Sequence, residues 1–208
     1  MHEFDDYTDD LTDETEDMDD LTDDWSAFDD DLSDSEDTRT EAQKAADYAR
    51  EKGFSKAADY IESHYDGGDF NPDLPIRIHT RNEQLEGDTS PNGVPFERRQ
   101  AELTDGLVLE GVFPDFDSRH DVDLGSEGTD MSLHRQFSAC KADFQDHMYD
   151  SPDKLEGMTF GDLFRMDEPT GYAPDGWTWH HNEVTGRFEL VRTEDHRRAG
   201  HTGGNAVW

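Results

Sequence analysis

The chain has 208 residues, a formal net charge of -35 and an apolar fraction of only 31%. Those figures exclude a protein packed along its whole length and fit one modest domain carrying a loosely held acidic segment. Its single cysteine, Cys140, excludes an intrachain disulfide and a thiolate zinc site.

The acidity is unevenly spread. Residues 1–40 hold 19 acidic residues and one basic residue, Arg39, giving -18; the other 168 residues carry the remaining -17. Lysine is scarce, with five against 13 arginines, so carboxylates dominate the rest of the chain as well. This pattern resembles proteins of extreme halophiles, in which surface carboxylates keep the chain hydrated. In molar salt the Debye length is about 3 Å, which screens their mutual repulsion.

Residues 1–38 read as an acidic tail, disordered or conditionally helical. Phe4, Tyr7, Leu11, Met18, Leu21, Trp25, Phe28 and Leu32 recur at spacings of three and four, a heptad-like stripe interrupted at Glu14. Asp and Thr are poor helix formers, so the stripe fits a segment that folds on a partner, either a face of the chain's own main domain or a delivery component. The plainer reading is a solvated tail. The start of the chain, MHEFDDYTDD, lacks the basic and apolar regions of a signal peptide, and no apolar run is long enough to cross a membrane as a helix. The expectation is a chain made in the cytoplasm, without a membrane partner, and delivered to a target cell, if at all, by a route the sequence does not announce.

Residues 39–68 predict a helical hairpin, because KAADY occurs at both Lys44 to Tyr48 and Lys56 to Tyr60 with Gly53 between. Gly67, Gly68 and Pro72 mark a linker, and residues 69–208 form the main domain. Within it Pro75 to Thr80 predicts a strand, Asn92-Gly93 a turn, and Phe96 to Leu103 and Leu107 to Phe113 two strands flanking Asp105-Gly106. Met131 to Met148 predicts a helix with Phe137, Cys140, Phe144 and Met148 on its core face. Phe160 to Met166 is a shorter helix. His120, His134 and His147 read as ordinary polar residues.

The most informative stretch is Gly176 to Trp208, which holds four of the ten histidines. Trp177 to Trp179 and Phe188 to Val191 are short apolar runs around a turn with Gly186, the pattern of a β-hairpin. Thr193 is a candidate N-cap for a helix from Glu194 to Ala199, ended by Gly200. His180 and His181 are neighbours on a strand and therefore point to opposite faces. One can ligate a metal while the other stays free. A divalent cation beside a free imidazole is the equipment for phosphodiester hydrolysis: the ring takes a proton from water and the cation offsets charge on the phosphate. On an ideal helix His196 and His201 would lie roughly 140° apart, so both reach one ion only if the helix unwinds near Gly200. Otherwise His196 orients the site and His201 alone ligates from that side. The stretch is electrically neutral: Arg187, Arg192, Arg197 and Arg198 balance four acidic residues and are candidate phosphate contacts, or else surface ion pairs.

GWTWHH followed by GRFELV, a further His and HTGG resembles the WHH-type nucleases of the HNH/endonuclease VII (His-Me finger) superfamily, found as toxin domains of bacterial polymorphic toxins and related to colicin-type DNases. The similarity extends upstream through NGVPF (Asn92 to Phe96), GVFPDFDS (Gly111 to Ser118) and Gln136-Phe137. Phe188 and Glu189 depart from the usual residues before the Leu-Val pair. The resemblance implies an α+β chain with a ββα-metal (HNH) catalytic core in residues 172–208, preceded by helical and short-strand additions. It also implies one divalent metal ion (Zn²⁺, Mg²⁺, Mn²⁺ or Ni²⁺) held by His180, His201 and His196, with His181 as general base. The activity implied is endonucleolytic, with DNA favoured over RNA, in a toxin module with a cognate immunity protein as partner. The competing expectation is a non-catalytic metal-binding module. Against it, structural zinc shells are usually closed and cysteine-rich, and this one leaves an imidazole spare.

Overall fold

A computed structural model describes residues 37–167 and 171–208, and the apolar stripe predicted for the acidic segment lies outside them. The described chain is α+β: two three-stranded sheets and five α-helices with short 3₁₀ turns. No helix among the described residues is long and apolar enough to cross a membrane.

The two KAADY copies lie in α1 (Glu41–Glu51) and α2 (Ser55–His64), and their alanines explain the pairing. Ala45, Ala46, Ala49, Ala57 and Ala58 are all fully buried, so the helices approach through side chains that lose no rotamer entropy on burial. Thr40 and Gln43 close a capping box at the start of α1. The repeated tyrosines tie the pair to the rest: Tyr48 Oη donates to the Gly106 carbonyl at 2.6 Å, and Tyr60 Oη to that of His79 at 3.0 Å.

The first sheet has the order β1-β3-β2, with β1 (Ile76–Arg77) parallel to β3 (Leu107–Pro114), and β2 (Phe96–Thr104) antiparallel to it. The strand predicted over Pro75 to Thr80 shrinks to two residues; beyond it, Thr80 Oγ1 donates to the Val112 carbonyl at 2.6 Å and accepts from the Val112 amide at 3.2 Å. A hydroxyl thus replaces the next ladder bonds. The second sheet, β4-β6-β5, is antiparallel and is built from β4 (Asp121–Asp123), β5 (Trp177–His181) and β6 (Arg187–Arg192). The sequence predicts only a two-stranded hairpin here, but Val122 pairs with Phe188 and supplies a third strand.

Helix α3 and the C-terminal helix complete the packing around this second sheet. In α3 (Leu133–His147), Cys140 and Phe144 are fully buried and Phe137 and Met148 pack against the same core, as their spacing predicts. Burial also pushes the Cys140 thiol up to about 12, which keeps it protonated and unreactive. One apolar cluster joins the helix pair, the first sheet, α3, Phe188 and Trp208. The short helix α4 (Phe160–Phe164) follows, and α5 (Thr193–Ala199) packs on β5 and β6. Thr193 is the first residue of α5 and not its cap; the capping position is Arg192, and the Thr193 amide donates to the Gly176 carbonyl at 2.9 Å.

Candidate active site

Strand β5 sets the first two histidines. Its alternation buries His180, which is 2% exposed, toward α5, and sends His181 toward α3. Helix α5 supplies His196 and then stops: Gly200 adopts φ 55° and ψ 72°, a left-handed conformation suited to glycine. The turn folds His201 back over the helix end. The 140° separation expected of a continuous helix therefore does not arise, and the His196 and His201 ring centroids lie 4.8 Å apart.

The His180 ring lies 4.8 Å from that of His201 and 5.3 Å from that of His196, and donor atoms of all three fall within 4.8 Å of one another. His201 Nε2 and His180 Nδ1 are hydrogen-bonded at 3.3 Å. Phe116 from the GVFPDFDS segment forms an apolar wall, with its centroid 4.9, 5.8 and 5.1 Å from those of His180, His196 and His201. A Cβ on Gly203 would sit 3.0 Å from His180 Cε1 and 3.3 Å from His201 Nε2, so bare backbone lets the chain lie against both rings.

All four histidines line one cleft of about 640 Å³, together with Tyr60, Arg81 and Phe137. Burial is the main cause of the depressed basicity of every ring. It pushes His181 and His201 down to about 4 and His180 well below the ordinary value, and lowers His196 as well. Positive neighbours act in the same direction: Lys56 on His181, Arg81 on His201 and Arg197 on His196. The rings are therefore neutral at ordinary pH, the form in which an imidazole ligates a metal or accepts a proton. Among the described residues, the buried His180 Nε2 and His201 Nδ1 find no hydrogen-bond partner, and such an atom costs about 1–3 kcal/mol. Converging neutral donors with unsatisfied nitrogens fit a divalent transition metal better than they fit a closed core.

His181 has a different environment. Its Nε2 lies 3.1 Å from Gln136 Oε1, and Gln136 Nε2 donates to the Gly128 carbonyl at 2.7 Å. The carbonyl fixes which way the Gln136 amide faces, so its oxygen must face the imidazole. His181 then carries its proton on Nε2, leaving Nδ1 basic. Gln136 is 5% exposed. The sequence placed it beside Phe137 in a helix but gave no sign of this contact.

The four expected phosphate contacts sit elsewhere. Arg187 pairs with Asp121 at 2.8 Å, Arg198 with Glu194 at 3.1 Å, and the Arg192 guanidinium lies 4.9 Å from the centre of the Trp177 ring. Arg192, Arg197 and Arg198 line a separate surface groove with Gly176. The guanidinium that lines the histidine cleft belongs to Arg81, in the segment after β1. Its neighbour Asn82, at φ 66°, donates from Nδ2 to the Ala199 and Gly200 carbonyls and so caps the end of α5. Thr202 Oγ1 completes the clasp, accepting from the Arg81 amide at 3.0 Å and meeting Tyr60 Oη at 2.9 Å. The turn that delivers His201 is thus held by residues more than a hundred positions upstream, which no local pattern could reveal.

Behind the site, Glu189 is 8% exposed and accepts from Asn182 at 2.9 Å; burial pushes its carboxyl up to about 7. In the unfolded chain the value is the ordinary 4.5. Between those limits the folded state holds a proton that the unfolded state has released, so this group's contribution to stability is greatest below about 4.5 and falls as pH rises to about 7. Glu189→Gln, which keeps the Asn182 bond, should therefore stabilise the metal-free protein at pH 8 by about 3 kcal/mol and leave it unchanged at pH 4. Denaturant midpoints at the two pH values test this; equal gains at both would contradict it.

The family model of the DNase/tRNase domain of colicin-like bacteriocins matches residues 105–203, a stretch running from the end of β2 through all four histidines. No curated protein and no solved structure matches the chain.

Proposed function

We propose that residues 105–203, which match the family model of the DNase/tRNase domain of colicin-like bacteriocins, form the nuclease module of a toxin, a metal-dependent endonuclease that favours DNA. The observation that carries the reading is the pairing of three converging imidazoles with a fourth, differently oriented one in the same cleft. His180, His196 and His201 would hold one divalent ion. That ion, when bound, supplies charge stabilisation at the phosphate and the departing oxygen.

His181 does the proton chemistry. With Nε2 engaged by Gln136, its Nδ1 accepts a proton from water as the water oxygen forms its bond to phosphorus; the P–O bond to the 3' oxygen breaks, and that oxygen takes a proton from solvent. The negative phosphate raises the basicity of a ring that burial has depressed. Arg81 binds a non-bridging phosphate oxygen. Arg192, Arg197 and Arg198, in their separate groove, and Arg187 contact flanking backbone phosphates. The acidic segment and a cognate immunity protein are the expected regulators, and the carboxylate-rich surface fits work in concentrated salt.

The direct test is incubation of the full chain with plasmid DNA and with structured RNA in molar salt, with and without a chelator. Nicking of DNA that the chelator abolishes is expected; degradation of RNA alone would shift the substrate, and cutting that ignores the chelator would overturn the metal. Asn82→Ala should lower zinc affinity about tenfold by loosening the His201 turn. Competition against a chromophoric chelator reads it, and an unchanged affinity would show that the cap is dispensable.

A further inference from the structure

A second cluster lies outside the catalytic cleft. His120, in the segment before β4, Asp143 on α3 and His147 one turn later on α3 bring donor atoms within 4.8 Å of one another. His120 Nε2 is 2.6 Å from Asp143 Oδ1, and His147 Nδ1 is 3.4 Å from the same oxygen and 2.8 Å from the Asp143 carbonyl. The His120 and His147 rings lie nearly parallel, with centroids 6.1 Å apart. The sequence offered these histidines as ordinary polar residues, separated by 27 positions. The fold makes them neighbours.

We propose that His120, Asp143 and His147 form a second, structural site for a zinc-like divalent ion. The donor set, two imidazoles and one carboxylate, is one that zinc, cobalt and nickel accept and that calcium and magnesium do not prefer. Asp143 and His147 are spaced i, i+4, so one helix face presents both, and the third donor comes from a different element, as a cross-linking ion requires. Burial differs usefully around the cluster: the His120 side chain is 7% exposed and the His147 side chain 48%, so one edge stays open for entry and for water to complete the shell. Binding would replace the hydrogen bond between His120 and Asp143, with the neutral ring carrying its proton on Nδ1 so that Nε2 and the Asp143 carboxylate both face the ion.

The position gives the ion a purpose. The His120 carbonyl accepts from the Leu190 amide at 2.8 Å, and the Arg119 amide donates to the Leu190 carbonyl at 2.8 Å, so this segment is fastened to β6. An ion here would bolt α3 to the sheet that carries His180 and His181. Gln136 lies seven residues before Asp143, two turns along the same helix face, and holds His181. The brace would therefore steady the residue that orients the proposed base, a consequence that rests on the functional reading above, although the site itself does not.

Zinc content of the full chain after equilibrium dialysis tests this, read by elemental analysis for the parent, His147→Ala, Asp143→Asn and His201→Ala. His147 is half-exposed and outside the core, so its removal leaves the fold intact. Two ions per chain are expected in the parent and one in each variant. A parent with two ions that His147→Ala and Asp143→Asn both retain overturns the second site, as does a parent with one ion that only His201→Ala loses. One ion lost by His147→Ala and kept by His201→Ala would leave the second site standing and remove the catalytic one.

Discussion

His181→Ala should lower the rate of phosphodiester cleavage by about 10²–10⁴-fold, the usual worth of a positioned general base, while the chain keeps its fold and its capacity to bind zinc. The expectation follows from the separation of the four rings. His180 faces α5 with His196 and His201, whereas His181 faces Gln136, Phe188 and Trp208, with centroids 4.6 and 5.2 Å from the two aromatic rings. Removing His181 takes nothing from the set that would hold the ion. Gln136→Leu should cost about tenfold by freeing the ring to turn, and should move the pH profile of cleavage because the basic nitrogen is no longer specified. Single-turnover cleavage of a labelled duplex, with zinc content measured on the same samples, decides both. A His181→Ala protein that cuts at the parent's rate, or that loses its ion, contradicts the assignment.

The second large effect is on metal binding. His201→Ala should weaken zinc affinity at the catalytic cleft by roughly 10²-fold or more, since each ligand carries a few kcal/mol of the total binding free energy. It should also abolish the rise in melting temperature that saturating zinc gives through this site. His201 is the informative ligand because it depends most on the fold: its turn is capped by Asn82 and clasped through Thr202 by Arg81 and Tyr60. Competition titrations on the parent and on the His147→Ala background read this cleft separately from the second cluster. Equal affinity with and without His201 would leave only two rings near the ion and remove the proposed geometry.

What could be read from the sequence, and what could not, divides by the range of the interactions. The hairpin of β5 and β6, the β2–β3 hairpin around Asp105-Gly106 and the core face of α3 depend on local periodicity, and the structure forms them within a residue or two of the expected limits. Strand β4 is not legible locally because Asp-Val-Asp is three residues long with two charged ends; only pairing to a finished β6 makes it a strand. The convergence of His196 and His201 hangs on the conformation of Gly200, which a helical wheel cannot supply. Arg81 and Asn82 reach the site from residues outside the 105–203 stretch, through the first sheet and the helix pair. The arginines of the motif are near it in sequence, but Arg187 spends its charge on Asp121 and Arg198 on Glu194. Local neutrality predicted the balance of charge without predicting its direction.

The central question is which imidazoles contact the ion. Crystals grown with zinc and measured at the zinc absorption edge give the answer in one anomalous difference map. The expected map has a peak within about 2.0–2.1 Å of a nitrogen from each of His180, His196 and His201, with His181 outside the shell and still against Gln136. A peak that includes His181 among its ligands, or no peak at the three rings, would contradict it.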